Sequence, residues 1–413
     1  GIPFVQGGAA GRPDGGVWPV ELQRPETFTR KGRIVNWDYD PEFRDGDFYD
    51  LKDIHHGFGT GDDYSPSPAL KVLTDCYKYW LAFADLDGFR IDTVKHMDLG
   101  ATRYFASVIH EFAQALGKDR FYLIGEITGG RNRAFETLES TGLDAALGID
   151  DIPDKMEYLV KGYRNPEEYF NLFRNSLQIK KDSHTWFRDK VVTLFDDHDQ
   201  IRKGQWKARF CARDRGWKVL FNVLGLNVAT LGIPCIYYGS EQYFNGQAIE
   251  ERDGNDLFIR ECMFGGKFGS LQSQGYHFFN EDSAAYRELA KILNLRRAGM
   301  TLRRGRQYLR AISVNGIDFD IPIMAGKQIR SIVPWSRLFD RSETLVAINT
   351  DYDRPSTAWV TIDSELNNSG DALTCLYSTD SAEIGQKINV EARNGKAVLL
   401  TVPPAGLVIY EKG

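Results

Sequence analysis

The hydrophobic pattern of residues 68–298 switches repeatedly between the two periods of regular secondary structure. Apolar positions spaced three to four residues apart indicate amphipathic helices, and short continuous apolar runs indicate buried strands. Helices are predicted at about 68–84, 100–117, 132–139, 153–180, 214–230 and 283–298. Strands are predicted at about 87–92, 121–124, 143–148, 191–195 and 235–239. Strands and helices therefore alternate five times, which is the pattern of βα units with parallel strands.

The pattern differs on both sides of this central region. Residues 1–68 are rich in glycine, proline and aspartate, as in Gly7-Gly8, 11–16 and 57–63, and predict a loop-rich segment. Beyond about residue 305, no helical pattern separates the apolar runs. These runs predict antiparallel strands at 344–349, 358–362, 397–402 and 406–410. We therefore predict three domains: 1–68 loop-rich, 69–304 with βα units, and 305–413 antiparallel β.

Composition and charge exclude several classes of partner. The chain has 413 residues, of which 42% are hydrophobic and 26% charged, as expected of a soluble globular protein. The net charge is -6 and there is no long basic run, so nucleic acid is not expected as a partner. No apolar run is long enough to span a membrane. The 13% aromatic content suits a protein that stacks sugar rings, although a large aromatic core explains it equally well.

The cysteines carry only a weak signal about compartment. They are odd in number, widely spaced and without a CxxC pair, so they predict no zinc site: Cys76, Cys211, Cys235, Cys262 and Cys375. Buried free thiols are the expected state, which favours a reducing compartment without excluding secretion. The chain starts at Gly1, with neither a methionine nor a signal-like apolar stretch. Such a start is expected of a processed or truncated chain. Localisation therefore stays open.

The strand predicted at 87–92 delivers charged residues at its carboxyl end. Side chains of a strand alternate between faces, so Arg90 and Asp92 share one face. An arginine beside a carboxylate keeps the acid ionised. An ionised carboxylate at the end of a buried strand is how a nucleophile would be presented. A structural ion pair explains these two residues equally well when they are considered alone.

Three carboxylates stand at the ends of predicted parallel strands, namely Asp92, Glu126 and Asp199. A single acidic residue in this place is readily explained as a helix cap. Three of them, with Arg90 and His198 alongside, favour the catalytic face of a (β/α)8 barrel, where the carboxyl ends of the strands converge. Hydrolysis of a glycosidic bond needs a carboxylate nucleophile and a carboxylic acid that protonates the leaving oxygen.

At these residues the chain resembles the α-amylase family, glycoside hydrolase family 13. Residues 88–96 (GFRIDTVKH), 124–126 (IGE) and 195–199 (FDDHD) resemble its second, third and fourth motifs, and 232–241 (GIPCIYYGSE) resembles its eighth-strand motif. Asp50-Leu51-Lys52 lies near the end of the family's loop-rich domain B, and the β-rich tail matches its domain C. The resemblance implies a (β/α)8 barrel, of which five βα units are visible, followed by an antiparallel β-sandwich.

The resemblance also implies a role for each motif residue. Asp92 would be the nucleophile and Glu126 the general acid and base, with a pKa raised by apolar surroundings and nearby carboxylates. Asp199 would stabilise the oxocarbenium-like transition state. Substrate would be bound by four further side chains: Arg90, which also keeps Asp92 charged, Lys95, His96 and His198. The substrate would be an α-glucan or oligosaccharide, cleaved with retention of configuration.

Three features depart from the family pattern. The fourth motif has Asp197 where the family usually has asparagine. The first motif, which supplies the asparagine that often binds calcium, is not found, so a structural calcium is left open and no metal ligand is predicted. Three βα units that should precede the loop-rich segment are also not found. This predicts a missing N-terminal segment or a separate chain, because an open five-stranded barrel would expose its strand edges.

Three functions remain in competition at this point. The leading hypothesis is a retaining hydrolase of α-1,4-glucosidic bonds in starch, maltodextrin or related α-glucans. A transglycosylase or sugar isomerase of the same family would use the same three carboxylates and differ in how water is excluded. A barrel that serves as a non-catalytic binding scaffold is the third, since fold alone does not give function.

Overall fold

The computed structural model describes residues 18–49, 51–149, 151–174, 189–199, 201, 207–246, 256, 258–264 and 278–412. The chain divides into two compact units, Gly1–Ile149 and Asp150–Gly413. The predictions made for Gly7-Gly8, for residues 11–16, for Asp50 and for residues 175–180 lie outside the described residues. The predicted domain limits at residues 68 and 304 stay predictions.

The described residues of the first unit form a small parallel sheet, a two-stranded antiparallel pair and four helices. Its helices are α1 (Glu42–Asp45), α2 (Pro68–Phe83), α3 (Leu99–Ala115) and α4 (Arg131–Thr141). Its strands are β1 (Gly57–Phe58), β2 (Ser65–Pro66), β3 (Gly88–Ile91), β4 (Tyr122–Glu126) and β5 (Ala145–Leu147). Short 3₁₀ turns lie at Val20–Gln23, Pro25–Thr27, Gly61–Asp63 and Val94–His96.

The parallel sheet of this unit has the order β3-β4-β5, as three of the predicted βα strands require. Gly88 stands opposite Tyr122 in the register. A Cβ at Gly88 would lie 2.3 Å from the carbonyl oxygen of Tyr122, so only glycine lets the two strands approach at this point. The pairing aligns the carboxyl ends of β3 and β4, which carry the predicted catalytic residues.

Two helices of the first unit begin where the sequence predicts a start. The Ser67 hydroxyl accepts a hydrogen bond from the Leu70 N–H at 3.0 Å, and Pro68 occupies the first turn of α2. The Asp98 carboxylate caps α3 by accepting from the Gly100 N–H at 2.7 Å. Each cap satisfies a backbone donor that has no partner within its helix.

The described residues of the second unit form five helices and two groups of strands. The helices are α5 (Asp151–Val160), α6 (Pro166–Phe170), α7 (Leu220–Ala229), α8 (Ala284–Ala298) and α9 (Met300–Arg304). Its 3₁₀ turns lie at Asn171–Phe173, Phe210–Ala212, Gly216–Val219, Ser240–Gln242 and Ser381–Glu383. No helix in the described part of the chain combines the length and the apolar character that a bilayer crossing needs.

A pair of short parallel strands, β6 (Val192–Thr193) and β7 (Ile233–Pro234), corresponds to the last two predicted βα strands. The strand predicted at 235–239 is wrong in position. Its apolar residues are held by side-chain contacts instead, since the Tyr237 hydroxyl donates to the Ile259 carbonyl at 3.1 Å. An apolar run predicts burial, but Cys235 and Tyr238 are exposed and residues 235–239 lie outside the sheet.

An antiparallel sheet of nine strands occupies the carboxyl-terminal part of the second unit, in the order β8-β10-β11-β16-β13-β14-β15-β12-β9. The strands are β8 (Arg306–Leu309), β9 (Ile312–Ser313), β10 (Ile332–Phe339), β11 (Ser342–Asn349), β12 (Ser356–Thr361), β13 (Ala372–Ser378), β14 (Lys387–Glu391), β15 (Ala397–Val402) and β16 (Leu407–Lys412). The four predicted strands are confirmed and five more are present. Alternate side chains from several strands form its core, among them Leu345, Val360 and Val398.

All five cysteines are free thiols. Cys211 and Cys375 are buried, as predicted. The prediction is wrong for Cys235 and Cys262, which are exposed because both lie outside regular structure.

Candidate active site

Three of the predicted site residues meet at the carboxyl ends of β3 and β4. One guanidinium nitrogen of Arg90 (Nη1) donates to Oδ1 of Asp92. The other (Nη2) lies 3.3 Å from Oε2 of Glu126. The Asp92 and Glu126 side chains are themselves hydrogen-bonded. The first unit therefore brings together the predicted nucleophile, the predicted general acid and the arginine that bridges them.

Burial separates the properties of the two carboxyls. Glu126 is only 8% exposed, whereas the Asp92 side chain is 69% exposed. Burial raises the pKa of Glu126, the Thr93 N–H and Arg90 oppose the rise, and the hydrogen bond and charge of Asp92 add to it. The neighbouring Ile127 is fully buried, which supplies part of the apolar surroundings. The pair thus combines a buried carboxyl with a raised pKa and an exposed carboxyl beside an arginine.

Thr93 contributes to the site through its backbone, which the sequence did not reveal. It has φ 51° and ψ 34°, a left-handed conformation that β-branched residues seldom adopt. In this conformation its N–H donates to Oε2 of Glu126 at 2.9 Å. No composition or spacing signal marks a threonine for this role, so only the fold could reveal it.

Lys95 and His96 are directed toward the loop-rich residues of the first unit. The Lys95 ammonium pairs with Oδ1 of Asp38 at 2.7 Å, and this contact lowers the pKa of Asp38. The His96 Nδ1 lies 2.6 Å from the Phe43 carbonyl oxygen, which can only accept, so this nitrogen carries the hydrogen. Burial lowers the pKa of His96, and the ring packs edge-on against Phe48. Sugar binding by either side chain stays a prediction.

The fourth motif lies in the second unit, after β6. His198 Nδ1 lies 2.7 Å from Oδ1 of Asp197, and the His198 N–H donates to the same oxygen at 2.5 Å. A carboxylate at this position can only accept, so Asp197 assigns the ring hydrogen to Nδ1. The residue that departs from the family pattern therefore orients the histidine next to it.

Asp199 forms an ion pair that sequence reasoning missed. Its Oδ1 accepts from the Lys207 ammonium at 2.7 Å, and Lys207 also contacts Asp256. Burial disfavours the ammonium, but the two carboxylates raise the pKa of Lys207 overall. A sugar hydroxyl that binds Asp199 would have to share this oxygen with Lys207 or displace it.

The residues described do not fit a calcium site. No group of three histidine, cysteine, aspartate or glutamate side chains is arranged to hold a metal ion in the part of the chain that the structure describes. Asp47 uses both oxygens, for Lys52 at 2.7 Å and for the Asp53 N–H at 2.9 Å. The buried Oδ2 of Asp53 accepts no hydrogen bond, but one such oxygen falls short of the roughly six to eight that calcium requires.

Asp53 should make stability depend on pH. Burial raises its pKa to about 7, and the charges of Asp45 and Asp47 add to the effect. The pKa of Asp53 in the folded state exceeds its ordinary value of 3.8. The contribution of Asp53 to stability is therefore most favourable below pH 3.8 and is lost as the pH rises toward about 7. Asp53→Asn should therefore raise the free energy of unfolding by about 2–4 kcal/mol at pH 8 and leave it nearly unchanged at pH 4.

Urea unfolding at both pH values, in the presence of a chelator, measures this difference. Asp62→Asn is the matched control, because the Asp62 side chain is 98% exposed and the same substitution should have no comparable effect. Equal stability of wild type and Asp53→Asn at pH 8 would contradict the prediction.

Comparison with known proteins gives a consistent result. Residues 63–263 match the family described as the catalytic domain of α-amylase. The chain is 23% identical over 364 residues to a cyclomaltodextrin glucanotransferase of Bacillus sp. (strain 38-2), covering 88% of this chain and 42% of the relative. It is 26% identical over 361 residues to an α-amylase of Streptomyces lividans, covering 81% and 34%. The chain thus spans less than half the length of these curated relatives.

Solved structures agree on the fold. The α-amylase from Geobacillus thermoleovorans, complexed with acarbose, superposes with a TM-score of 0.67 at 17% identity. The match covers 96% of this chain and 74% of that one. It confirms the predicted fold class, a (β/α)8-type region with an antiparallel β domain after it.

Proposed function

We propose that the chain belongs to the α-amylase family of glycoside hydrolases, whose catalytic-domain description matches residues 63–263. From this premise we propose that it is a retaining glycoside hydrolase. Its proposed substrates are starch, maltodextrin or related α-glucans, cleaved at α-1,4-glucosidic bonds through a covalent glycosyl-enzyme. In this proposal Asp92 attacks the anomeric carbon, while Glu126 first protonates the leaving oxygen and then activates water.

The observation that carries this proposal is the hydrogen-bonded pair of Asp92 and Glu126, bridged by Arg90. Inverting enzymes hold their two carboxyls roughly 6.5–9.5 Å apart, to leave room for a water molecule between them and the sugar. Retaining enzymes hold theirs only about 5–5.5 Å apart, and two side chains that share a hydrogen bond fit this closer arrangement. The short separation therefore favours direct attack by one carboxylate, which gives retention.

The remaining site residues take supporting roles. Arg90 keeps Asp92 charged and orients it, and Asp199 stabilises positive charge at the sugar in the transition state. His198, Lys95 and His96 bind sugar hydroxyls. The Asp197 carboxylate orients His198, and Lys207 keeps Asp199 ionised until the substrate binds.

A second candidate is transglycosylation, in which a sugar hydroxyl replaces water as the acceptor. The likeness to a cyclomaltodextrin glucanotransferase favours it, since that relative matches 88% of this chain. Both reactions use the same glycosyl-enzyme, so the acceptor decides between them.

Product analysis in water enriched with oxygen-18 separates the two reactions. Hydrolysis of maltodextrin should place one labelled oxygen at each new reducing end, and proton NMR should show the α-anomer first. Longer or cyclic unlabelled products would favour transfer. A β-anomer as the first product would contradict retention, and the absence of any product from starch, maltose and sucrose would favour the binding scaffold.

Two further predictions remain open. A structural calcium is expected only from the resemblance. A Tm that is unchanged by a chelator would contradict this expectation.

A reducing compartment is expected only from the free cysteines, and fractionation of the producing cells would check it.

A further inference from the structure

The backbone turns sharply between Asp92 and the residues that follow it. Thr93 adopts the left-handed conformation at this turn, and its carbonyl accepts from the His96 N–H at 2.8 Å. A β-branched residue in this region is strained, and such residues persist where the surrounding structure demands them. The unusual conformation calls for a local reason.

That reason lies at Glu126. The left-handed turn aims the Thr93 N–H at Oε2 of Glu126, at 2.9 Å. Arg90 Nη2 lies 3.3 Å from the same oxygen and pairs with it by charge. A carboxyl oxygen that accepts a hydrogen bond and lies beside a guanidinium is the poorer place for a proton, because a hydroxyl there would compete with the donor and lose the charge pairing.

We propose that Thr93 is a positioning residue whose backbone N–H, together with Arg90, holds Oε2 of Glu126 as an acceptor and directs the acid proton to Oε1. This inference rests on the proposed function, in which Glu126 is the general acid. The proton then passes from Oε1 to the glycosidic oxygen as the bond between that oxygen and the anomeric carbon breaks. The Asp92 carboxylate forms the new bond to the anomeric carbon, and the carboxylate left on Glu126 already has its donors in place.

The charged groups that face Glu126 are few. Arg90 and Asp92 approach it from the end of β3, the strand on one side. On the other side β5 (Ala145–Leu147) contributes no titratable side chain. The Thr93 N–H donates directly to the Glu126 carboxyl, so its removal should be visible in the titration of Glu126.

Replacing threonine 93 by its α-hydroxy acid analogue, through nonsense suppression, converts the amide into an ester and deletes only this donor. Loss of one hydrogen bond to a charged acceptor should raise the pKa of Glu126 by about one unit. Carbon-13 NMR of labelled glutamate carboxyls measures the shift, with the Glu126 signal assigned by its absence in Glu126→Gln. The alkaline limb of kcat/KM should move up by the same amount.

The matched control is an ester at Met97, whose N–H donates to the Val94 carbonyl at 3.1 Å within the same turn. It should leave the Glu126 titration in place. Thr93→Gly, which retains the N–H and relaxes the left-handed backbone, should do the same. An unchanged titration in the Thr93 ester, or an equal shift in the Met97 ester, would overturn the proposal.

A second measurement needs no substitution. A hydrogen-bond scalar coupling between the Thr93 amide nitrogen and the Glu126 carboxyl carbon is expected in the unmodified protein, and its absence would refute the contact. Neither NMR experiment requires turnover. A shifted titration in a protein that cleaves no α-glucan would uphold the positioning role and refute the proposed hydrolase, whereas an unshifted titration in an active enzyme would do the reverse.

Discussion

Glutamine in place of Glu126 is expected to lower kcat on maltodextrin by about 10²- to 10⁴-fold, with the Kd for a maltooligosaccharide changed by no more than about twofold. The substitution removes the proton that the leaving oxygen must receive, while it preserves the size of the side chain. Glutamine can still accept from the Thr93 N–H, which now bonds Oε2 at 2.9 Å. Binding should therefore survive while chemistry fails. Steady-state kinetics and isothermal titration calorimetry measure the two effects separately.

The leaving group offers a sharper test of the acid role. An α-maltosyl fluoride needs little protonation, because fluoride departs readily as an anion. Formation of the glycosyl-enzyme from this substrate should therefore be much less impaired in Glu126→Gln than from maltodextrin. Glu111→Gln, on the exposed side of α3, makes the same chemical change away from the site and is the control. Equal loss on both substrates would contradict the assignment of Glu126 as the acid.

The pH dependence of the wild type follows from the same residue. Glu126 is active in its protonated form, and burial raises its pKa above the ordinary value of 4.5. Activity should therefore persist above pH 4.5 and decline as the pH rises through the elevated pKa of Glu126.

Asparagine in place of Asp92 is expected to lower kcat by roughly 10⁴- to 10⁶-fold, the scale seen when a covalent nucleophile is removed. An amide cannot form the glycosyl ester, so no intermediate should accumulate. The test is to trap the wild type with a fluorinated maltosyl fluoride that reacts quickly and hydrolyses slowly. Mass spectrometry of the digested protein should place the adduct on the peptide that contains Asp92.

Asp87→Asn is the matched control for this experiment. Asp87 lies just before β3, its side chain is 93% exposed, and it pairs with Lys118 at 2.9 Å on the surface. The control should be trapped like the wild type. An adduct on any other residue, or trapping of Asp92→Asn at the wild-type rate, would refute the role proposed for Asp92.

Glu126→Gln and Asp92→Asn test the two different roles that are proposed for one pair of carboxyls. Asp92 and Glu126 stand at the ends of adjacent parallel strands and share Arg90, yet one side chain is largely exposed and the other buried. The buried carboxyl, whose pKa is raised, suits the role of the acid, and the exposed carboxyl beside Arg90 suits the role of the nucleophile. Burial is thus the physical source of the proposed roles, and each substitution removes one of them.

The residues around Asp199 differ from the pattern of the α-amylase family that this chain resembles. Asp197 accepts from His198, and Lys207 bridges Asp199 and Asp256. Both arrangements add charge close to groups proposed to bind sugar. Salt screens exposed charge pairs strongly and partly buried pairs much less. Both of these arrangements are partly buried, so their influence on substrate affinity should persist in salt.

Local pattern determined much of this protein. The strands at 87–92 and 121–124 were predictable because short apolar runs need burial on both faces, and the helix from Pro68 because a serine cap and a proline stand at its start. The β-rich tail was predictable for the same reason, and the strand Ala397–Val402 was predicted at its observed limits. The motif residues followed from their order along the chain and from the resemblance they carry.

Other features were decided only by the tertiary structure. The strand predicted at 235–239 fails because its aromatic residues find backbone partners far along the chain. Lys95 and Asp38 are 57 residues apart, and Lys207 and Asp256 are 49 apart, so no local pattern could pair them. Thr93 has a left-handed backbone conformation, which β-branched residues such as threonine seldom adopt. The sequence alone thus placed Asp92 and Glu126 at strand ends, since periodicity and order are local properties, whereas Asp199 lies six residues beyond the end of β6. The fold decided which of them is buried, bridged and supplied with donors, because those contacts exist only once distant segments have packed together.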